Sequence, residues 1–374
     1  MRLRLATLVF ACVLLPISDA AQTLKAQSGN PLRLAIAGLV HGHVHGFIRA
    51  VQSRHDVQII GIFEPDAELR AKFAQRYSLT NTIFFNDLAI LLDRTKPEAV
   101  AAFTTTYDHA AVVEACASRH VQVMMEKPLA VSMEHARAIQ RACRRWGTNA
   151  IVNYETTWYP SHGSIWNLIQ EQRAAGEIRK IVAMDGHSGP KEIGVPPEFL
   201  SWLTDPAKNG DGALFDFGCY GANLMTWLME NQRPIAVTAV TQHLKPEIYK
   251  RVDDEGTILL EYPKAQGIIQ ASWNWPFNRK DLEVYGERGY VVATGGSALR
   301  VRLSGKQEEV RIPDPLPAEQ GDSLSYLISV VRAKRKPTGP SSLENNMIVT
   351  EILEAARESA RTRKTIRLDQ NPKF

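Results

Sequence analysis

The order of elements predicts two domains: an α/β amino-terminal domain on a doubly wound parallel sheet, then an α+β domain on a mostly antiparallel sheet. Three observations carry this. Strand and helix patterns alternate from Leu32 to about Asn153, and the strands among them are mostly apolar, as strands buried on both faces are. Beyond Asn153 the alternation stops, and five strand patterns follow one another with tight turns such as Glu287-Arg288-Gly289. A length of 374 residues suits about two domains.

In chain order, Arg2 and Arg4, an apolar run from Leu5 to Ile17 and the small-residue exit Ser18-Asp19-Ala20-Ala21 read as a secretory signal peptide over residues 1–21. The run is too short to span a membrane. A polar linker occupies residues 22–31. The first domain, residues 32–152, starts with strand Leu32 to Ala37, a helix over Gly42 to Ser53 and strand Val57 to Phe63. A helix over Asp66 to Tyr77, capped by Asp66, an extended stretch at Thr82 to Phe85 and a helix over Leu88 to Asp93 follow. Strand Ala99 to Thr104, helix His109 to Ser118, strand Val121 to Met125, helix Met133 to Trp146 and strand Ala150 to Tyr154 complete it. Such repeated units imply right-handed crossovers between parallel strands.

The second domain, residues 153–374, opens with a helix over Ser164 to Ala175 and strand Ile178 to Asp185. A long loop rich in Pro and Gly covers Ser188 to Gly212, and a helix runs from Phe215 to Met229. Strands are predicted at Ala236 to Leu244, Asp254 to Tyr262, Gly267 to Trp275, Lys280 to Tyr285 and Tyr290 to Thr294. Helices over Asp322 to Ala333 and Leu343 to Thr362 finish the chain.

Composition narrows the function. Hydrophobic content of 44% and charged content of 22% are ordinary for a globular protein. A net charge of +4 gives no reason to expect a nucleic-acid partner, and the basic clusters at Arg141 to Arg145 and Arg332 to Lys336 lack interleaved aromatics. With Cys12 in the signal, Cys116, Cys143 and Cys219 remain, which is neither a disulfide framework nor a zinc pattern. The expected product is a periplasmic or secreted protein, free of the membrane once the signal is removed.

The chemistry concentrates at strand ends. Val121 to Met125 stops abruptly at Glu126-Lys127-Pro128, which puts fixed charges at the carboxyl end of a parallel strand, where open α/β sheets bind ligands. A lysine there can lose or lend a proton once its surroundings lower its pKa. The first strand runs into Gly38-Leu39-Val40-His41-Gly42-His43-Val44-His45-Gly46 and then a helix, a turn that brings backbone N–H groups and a helix N-terminus to a pyrophosphate. The spacing is GxxxGxxxG, a degenerate form of the dinucleotide fingerprint. Glu64, 18 residues after Gly46 at the tip of strand two, can bind a ribose 2′-hydroxyl and would repel a 2′-phosphate, favouring NAD over NADP. A turn glutamate before a capped helix explains Glu64 equally well.

Gly38, Glu64, Thr104 to His109 and Glu126-Lys127-Pro128, each after a successive strand, together with Gly210-Asp211-Gly212-Ala213-Leu214-Phe215-Asp216-Phe217-Gly218-Cys219-Tyr220, resemble the Gfo/Idh/MocA oxidoreductases. The resemblance runs from Leu32 to the last helix, and Glu126-Lys127-Pro128 followed about ninety residues later by Asp216-x-Gly218-x-Tyr220 is its most specific part. It implies a Rossmann domain, an open-faced antiparallel sheet domain, and hydride transfer between a nicotinamide and a sugar, cyclitol or related alcohol. By the same resemblance Lys127, Asp216 and Tyr220 are catalytic, and Gly38, Val40, Gly42, His43, Glu64, Thr104, His109, Glu126 and Lys127 bind the cofactor. Tyr220 would act as the acid–base group if a nearby ammonium lowered its pKa. A tyrosine at this place resembles the glucose–fructose oxidoreductase type, and the family often forms homo-oligomers through the open sheet face. Val40 and His43 replace two of the usual glycines, and a side chain at Val40 should hinder approach of a pyrophosphate.

His41 and His45, one helical turn apart, have zinc-compatible spacing, but no third ligand adjoins them in sequence, so no metal is expected. Tyr154, Trp158, His187, Trp202, Trp273 and Trp275 are candidates to line a sugar site or to be core. Two other functions compete with the dehydrogenase: an NAD-requiring glycosidase, and a carbohydrate-binding protein that has lost its nucleotide.

Overall fold

A computed structural model describes residues 30–370. The signal peptide expected over residues 1–21 and residues 22–29 of the expected linker lie outside the described residues. The first sheet is wholly parallel and has six strands: β1 (Leu32–Ala37), β2 (Val57–Phe63), β3 (Phe84–Phe85), β4 (Ala99–Ala102), β5 (Gln122–Glu126) and β6 (Ala150–Asn153). Their order is 3-2-1-4-5-6, so the chain reverses direction beside β1 and opens a crevice at the carboxyl ends of β1 and β4. Helices α1 (Val44–Gln52), α2 (Ala67–Tyr77), α3 (Leu88–Thr95), α4 (His109–Ala117) and α5 (Met133–Trp146) make the crossovers. Asp66 caps α2 by accepting from the N–H groups of Glu68 and Leu69, Asp87 caps α3, and Gly147 at φ 63° ends α5.

The second lobe begins with α6 (Pro160–Trp166), which loosens into a π turn over Asn167–Glu171, and then β7 (Ile178–Gly186). After α7 (Pro197–Leu203), α8 (Pro206–Asn209), α9 (Ala213–Asp216) and α10 (Gly218–Leu228) come strands β8 (Ala236–Gln242), β9 (Glu255–Glu261), β10 (Gln266–Ser272), β11 (Arg279–Gly286), β12 (Gly289–Thr294), β13 (Leu299–Leu303) and β14 (Glu309–Arg311). Helices α11 (Ser323–Ala333) and α12 (Leu343–Thr362) and the short β15 (Ile366–Arg367) follow. The nine strands lie in the order 14-13-12-11-7-10-9-8-15, antiparallel except where β7 meets β10. Helices α10 and α12 cover one face; at Gly221 of α10 an added Cβ would come within 2.9 Å of Ala183 on β7. The other face carries the half-exposed Val182, Met184 and Ile268 and the exposed Val240 and Leu259.

Three expectations need correction. The long loop at Ser188 to Gly212 contains α7 and α8: its prolines Pro197 and Pro206 occupy first-turn positions, where a missing N–H costs nothing. The single helix expected over Phe215 to Met229 is broken at Phe217. That break frees the Asp216 carbonyl, which accepts from Lys127 and from the Cys219 thiol. Strands β13, β14 and β15 were not anticipated, being short or, like Glu309-Val310-Arg311, largely exposed. The chain also returns to its first lobe, since Leu324, Tyr326, Leu327 and Val330 of α11 pack in one cluster with Leu32, Leu34 and Ile36 of β1. Cys116, Cys143 and Cys219 are buried free thiols.

Buried histidines make the fold sensitive to mild acid. His162 donates from Nδ1 to the Thr156 carbonyl at 2.9 Å, and burial holds its pKa down at about 4. Burial lowers His41 and His109 as well. An unfolded chain titrates such groups near 6.5, so below that pH it binds protons that the fold refuses. Their contribution is complete above about pH 6.5 and is lost as pH falls toward 4, by at most about 1.4 kcal/mol per pH unit for each group. The urea midpoint should therefore be lower at pH 5 than at pH 7, and His162→Gln should narrow the gap. Equal midpoints at the two pH values would contradict this.

Candidate active site

Lys127 leaves the carboxyl end of β5 and points into the junction of the two lobes. Its ammonium donates to the carbonyl of Asp216 at 3.1 Å and forms a short ion pair with the Asp216 carboxylate, both side chains being more than nine-tenths buried. The second carboxylate oxygen of Asp216 accepts from the Trp273 indole at 3.0 Å. Asp253 fixes the approach to this segment by accepting from the N–H groups of Gly212 (3.0 Å) and Leu214 (2.7 Å). The Lys127 nitrogen stands 5.1 Å from the ring centre of Tyr220, and a second ammonium, Lys280, stands 4.7 Å from the same ring. The structure thus brings Lys127, Asp216 and Tyr220 together, as the sequence implied.

Their electrostatics differ from expectation. Burial alone would pull the Lys127 pKa down, but the Asp216 carboxylate reverses this and leaves it raised. Burial would push Asp216 up, and Lys127 instead holds it low. Burial dominates at Tyr220 and pushes its phenol well above the usual range, reinforced by the Glu155 carboxylate. The condition set for both groups in the sequence, a lowered pKa, is not what these surroundings produce: Lys127 and Tyr220 are both proton donors at neutral pH. Such groups suit an oxygen on which negative charge grows.

On the nucleotide side, Gly38 (φ +84°) needs to be glycine, because a Cβ would meet the Thr104 methyl at 2.7 Å. Gly38, Val40, Phe63, Glu64, Thr104 and Thr105 line part of a cavity of about 490 Å³ at the carboxyl ends of β1, β2 and β4. The apolar walls and buried carboxylate suit the adenosine end of a dinucleotide. Glu64 is already used: it accepts from Leu39 N–H at 2.8 Å and from Asp66 N–H at 3.0 Å, so it braces the loop besides facing the cavity. His109 does not line this cavity; it is buried and donates to the Leu129 carbonyl at 3.2 Å, supporting the segment after Lys127 from behind.

The glycine loop itself is covered from the second lobe. Trp202 of α7 donates to the Val40 carbonyl at 3.2 Å, and a Cβ on Gly42 would strike the Phe199 ring at 2.9 Å. The His41 ring lies 4.5 Å from Phe199, and Lys72 of α2 pairs with Glu198 of α7 at 2.8 Å. The obstacle at the loop is therefore α7 as much as the Val40 side chain. Gly42 and Val40 serve this packing, and a ligand reaching the start of α1 must fit beneath or displace it.

The histidines do not pair as their spacing suggested. His45 stacks on Phe73 at 4.8 Å and bonds the Tyr77 hydroxyl at 2.6 Å. It is His43 that joins His41, and Glu126 completes a trio whose ligand atoms lie within 4.8 Å of one another, a carboxylate that sequence neighbours did not reveal. The trio is internally bonded. His43 N–H donates to His41 Nδ1 at 3.1 Å, which leaves the His41 proton on Nε2. Glu126 accepts from His43 Nδ1 at 3.0 Å and from Asn153 at 2.9 Å. Burial would raise Glu126, yet the imidazoles of His43 and His41 and the Asn153 amide hold it at about 2. A cation here would have to break these bonds and would face the Lys127 ammonium.

Among the sugar-site candidates, Trp273 binds Asp216, Trp158 donates to Asn153 at 2.9 Å, and Tyr154 packs edge-on against Tyr220 at 5.5 Å. His187 rests edge-on against Phe217 at 4.8 Å. Sequence reasoning missed Glu155, Asp185 and Lys280. Lys280 and Asp185 are titratable residues at the same end of adjacent strands, a signal that becomes readable only once β7 and β11 are known to pair.

Removing one partner of the buried pair should leave an uncompensated charge. Asp216→Ala is expected to destabilise by roughly 3–5 kcal/mol, read as a lowered denaturant midpoint. Lys127→Met/Asp216→Ala should lose less than that, and a larger loss in the double variant would contradict the pairing.

Comparison with known proteins agrees with this geometry. Residues 32–154 match the description "Oxidoreductase family, NAD-binding Rossmann fold", and residues 166–292 match the Gfo/Idh/MocA C-terminal domain. The trans-1,2-dihydrobenzene-1,2-diol dehydrogenase of Xenopus laevis is 23% identical over 81% of this chain and 90% of its own length. The D-xylose 1-dehydrogenase [NADP(+)] of Haloarcula marismortui is 20% identical over 92% of this chain and 95% of its own. In fold, the chain is similar to an aldose-aldose oxidoreductase from Caulobacter crescentus (TM-score 0.78, 22% identity, 90% of this chain and 100% of that one). It is also similar to an inositol dehydrogenase homologue from Azotobacter vinelandii (TM-score 0.79, 18% identity, 91% and 98%). With its Rossmann and carboxyl-terminal domains both matched and its lysine, aspartate and tyrosine gathered between them, this chain belongs to the Gfo/Idh/MocA oxidoreductases.

Proposed function

We propose that this protein is an exported, NAD-dependent dehydrogenase that moves a hydride to or from a carbinol carbon of a sugar, cyclitol or similar alcohol. The observation that carries the reading is the buried meeting of Lys127, Asp216 and Tyr220 where the two lobes close on each other. A nicotinamide held in the crevice supplies the hydride acceptor or donor. The chain's part is to hold and polarise the reacting oxygen. In the reducing direction Lys127, kept as an ammonium by Asp216, gives its proton to that oxygen while the Tyr220 phenol hydrogen-bonds it; in the oxidising direction the lysine, once neutral, takes the hydroxyl proton. Burial between the lobes keeps water from the reacting carbon.

NAD is the proposed cofactor because Glu64 puts a carboxyl group against the cavity where a 2′-phosphate would lie. The Arg70 guanidinium, which donates to the Glu64 and Pro65 carbonyls at 2.6 and 2.9 Å, is committed to the turn. Relatives named for NADP(+) include a D-xylose 1-dehydrogenase and a scyllo-inositol 2-dehydrogenase, so the assay compares both dinucleotides. Export rests on the charged start, apolar run and small-residue exit of residues 1–21. Association of copies through the open face of the second sheet fits its half-exposed apolar residues Val182, Met184 and Ile268.

The test is turnover with NAD or NADP against a panel of aldoses and cyclitols, followed at the reduced-nicotinamide absorbance band. Wild type should show net reduction of NAD in preference to NADP. Lys127→Met should lower kcat by about 10²–10⁴ while dinucleotide affinity stays within a few-fold. Release of an aglycone from a glycoside with no net absorbance change would favour the NAD-requiring glycosidase instead. Glycan binding without any nucleotide binding would favour a lectin-like protein.

A further inference from the structure

Asp185, the next-to-last residue of β7, is a buried acid that the reaction chemistry above does not use. It is 1% exposed, and among the described residues its Oδ2 finds no hydrogen-bond partner. Leaving a buried polar atom unbonded is costly, and where a native fold keeps one, the atom is often reserved for a ligand. Its neighbours say which ligand.

Asp185 stands directly opposite Lys280 of β11, so both side chains leave the sheet on the face covered by α10, the helix that carries Tyr220. Lys280 does not satisfy Asp185. It pairs instead with Glu155 and lies over the Tyr220 ring. Glu155 is further held by the Tyr159 hydroxyl, which donates to it at 2.5 Å. Among the described residues Asp185 is thus the member of this group left open, and it feels the charges of Lys280, Asp281, Glu155 and Lys127. Burial pushes its carboxyl well above the usual range, toward the protonated form that has one O–H to donate and a carbonyl oxygen to accept. A sugar or cyclitol hydroxyl, itself donor and acceptor, matches that pair of functions.

We propose that Asp185 is a substrate-binding residue that hydrogen-bonds a hydroxyl next to the reacting carbon, and that the cleft selects uncharged polyols over their carboxylated or phosphorylated counterparts. The selection follows from the fixed charges. Glu126, Glu155 and Asp216 are held ionised by their partners. Against these stand two ammonium groups, Lys127 and Lys280, each already paired with a carboxylate. Burial keeps His41 and His187 neutral. Leaving aside His43, which pairs with Glu126, and Asp281, which pairs with Arg279, the balance is one excess negative charge, with no free cation among these residues to receive an anionic substituent. An acidic substrate would enter a desolvated site of its own sign.

The assignment rests on the dehydrogenase reading, and the experiment separates the two. Wild type, Asp185→Ala and Asp185→Asn are assayed with NAD on glucose, myo-inositol, glucuronate and glucose 6-phosphate, with kcat and KM measured separately. The uncharged substrates should lead the anionic ones by at least about tenfold in kcat/KM, in keeping with one desolvated like charge. Asp185→Ala should raise KM for an uncharged substrate by about tenfold, equivalent to one lost hydrogen bond, with kcat changed far less. Asp185→Asn, which keeps a donor and an acceptor, should recover most of that loss. If wild type turns over these substrates but KM does not respond to Asp185→Ala, or only the thermal midpoint moves, the assignment is overturned and the dehydrogenase reading stands. Equal use of glucuronate and glucose overturns the charge selection. If wild type turns over none of them, the dehydrogenase reading falls and the assignment falls with it.

Discussion

The buried ion pair between Lys127 and Asp216 governs the rest of the site. One partner ends a strand of the parallel sheet, and the other ends the short helix α9 of the second lobe. Neither charge is stable alone at that depth, so each lobe completes the other. The break in the helix at Phe217 follows from the same requirement, since it turns the Asp216 carbonyl toward the lysine. The pair also decides the chemistry: an ammonium held in place beside a tyrosine ring rests as an acid and an electrostatic clamp, and acts as a base only after losing its proton.

Around this pair the charges are arranged in closed couples. Glu126 is bound by His43 and Asn153, Glu155 by Lys280 and Tyr159, and Glu198 by Lys72. The histidines of the first loop, of which His43 stands where a glycine is usual, are part of this order. His43 supplies the proton that keeps Glu126 ionised, and His41 packs under Phe199 and Trp202. The loop has exchanged backbone openness for side-chain contacts with the second lobe. That exchange accounts for a fingerprint that departs from the usual glycine spacing while the strand order beside it is unchanged.

The parallel sheet was legible in the sequence because apolar strands buried on both faces leave continuous runs, and β1 and β2 end where the pattern said. The lysine, aspartate and tyrosine were legible because their spacing is specific to a family. The π turn after α6, the helices α7 and α8 and the strand β14 were not. Their signals are prolines that start helices instead of ending them, and alternating polar residues on an exposed edge. Protonation states were the least legible. Position alone left the sign of the lysine's shift open, since it depends on a carboxylate 89 residues away in sequence. Asp185 and Lys280 escaped notice for the same reason: their meeting is a matter of strand register, which no local pattern states.

The central claim is that Asp216 keeps Lys127 protonated against the pull of burial. The most direct measurement is the pH dependence of alcohol oxidation by wild type and Asp216→Asn, since oxidation needs the lysine's neutral form. Without the carboxylate, burial should dominate, and the rising limb of kcat should move to lower pH by about one unit or more. A limb that stays where it is in the wild type, or moves to higher pH, would contradict the account.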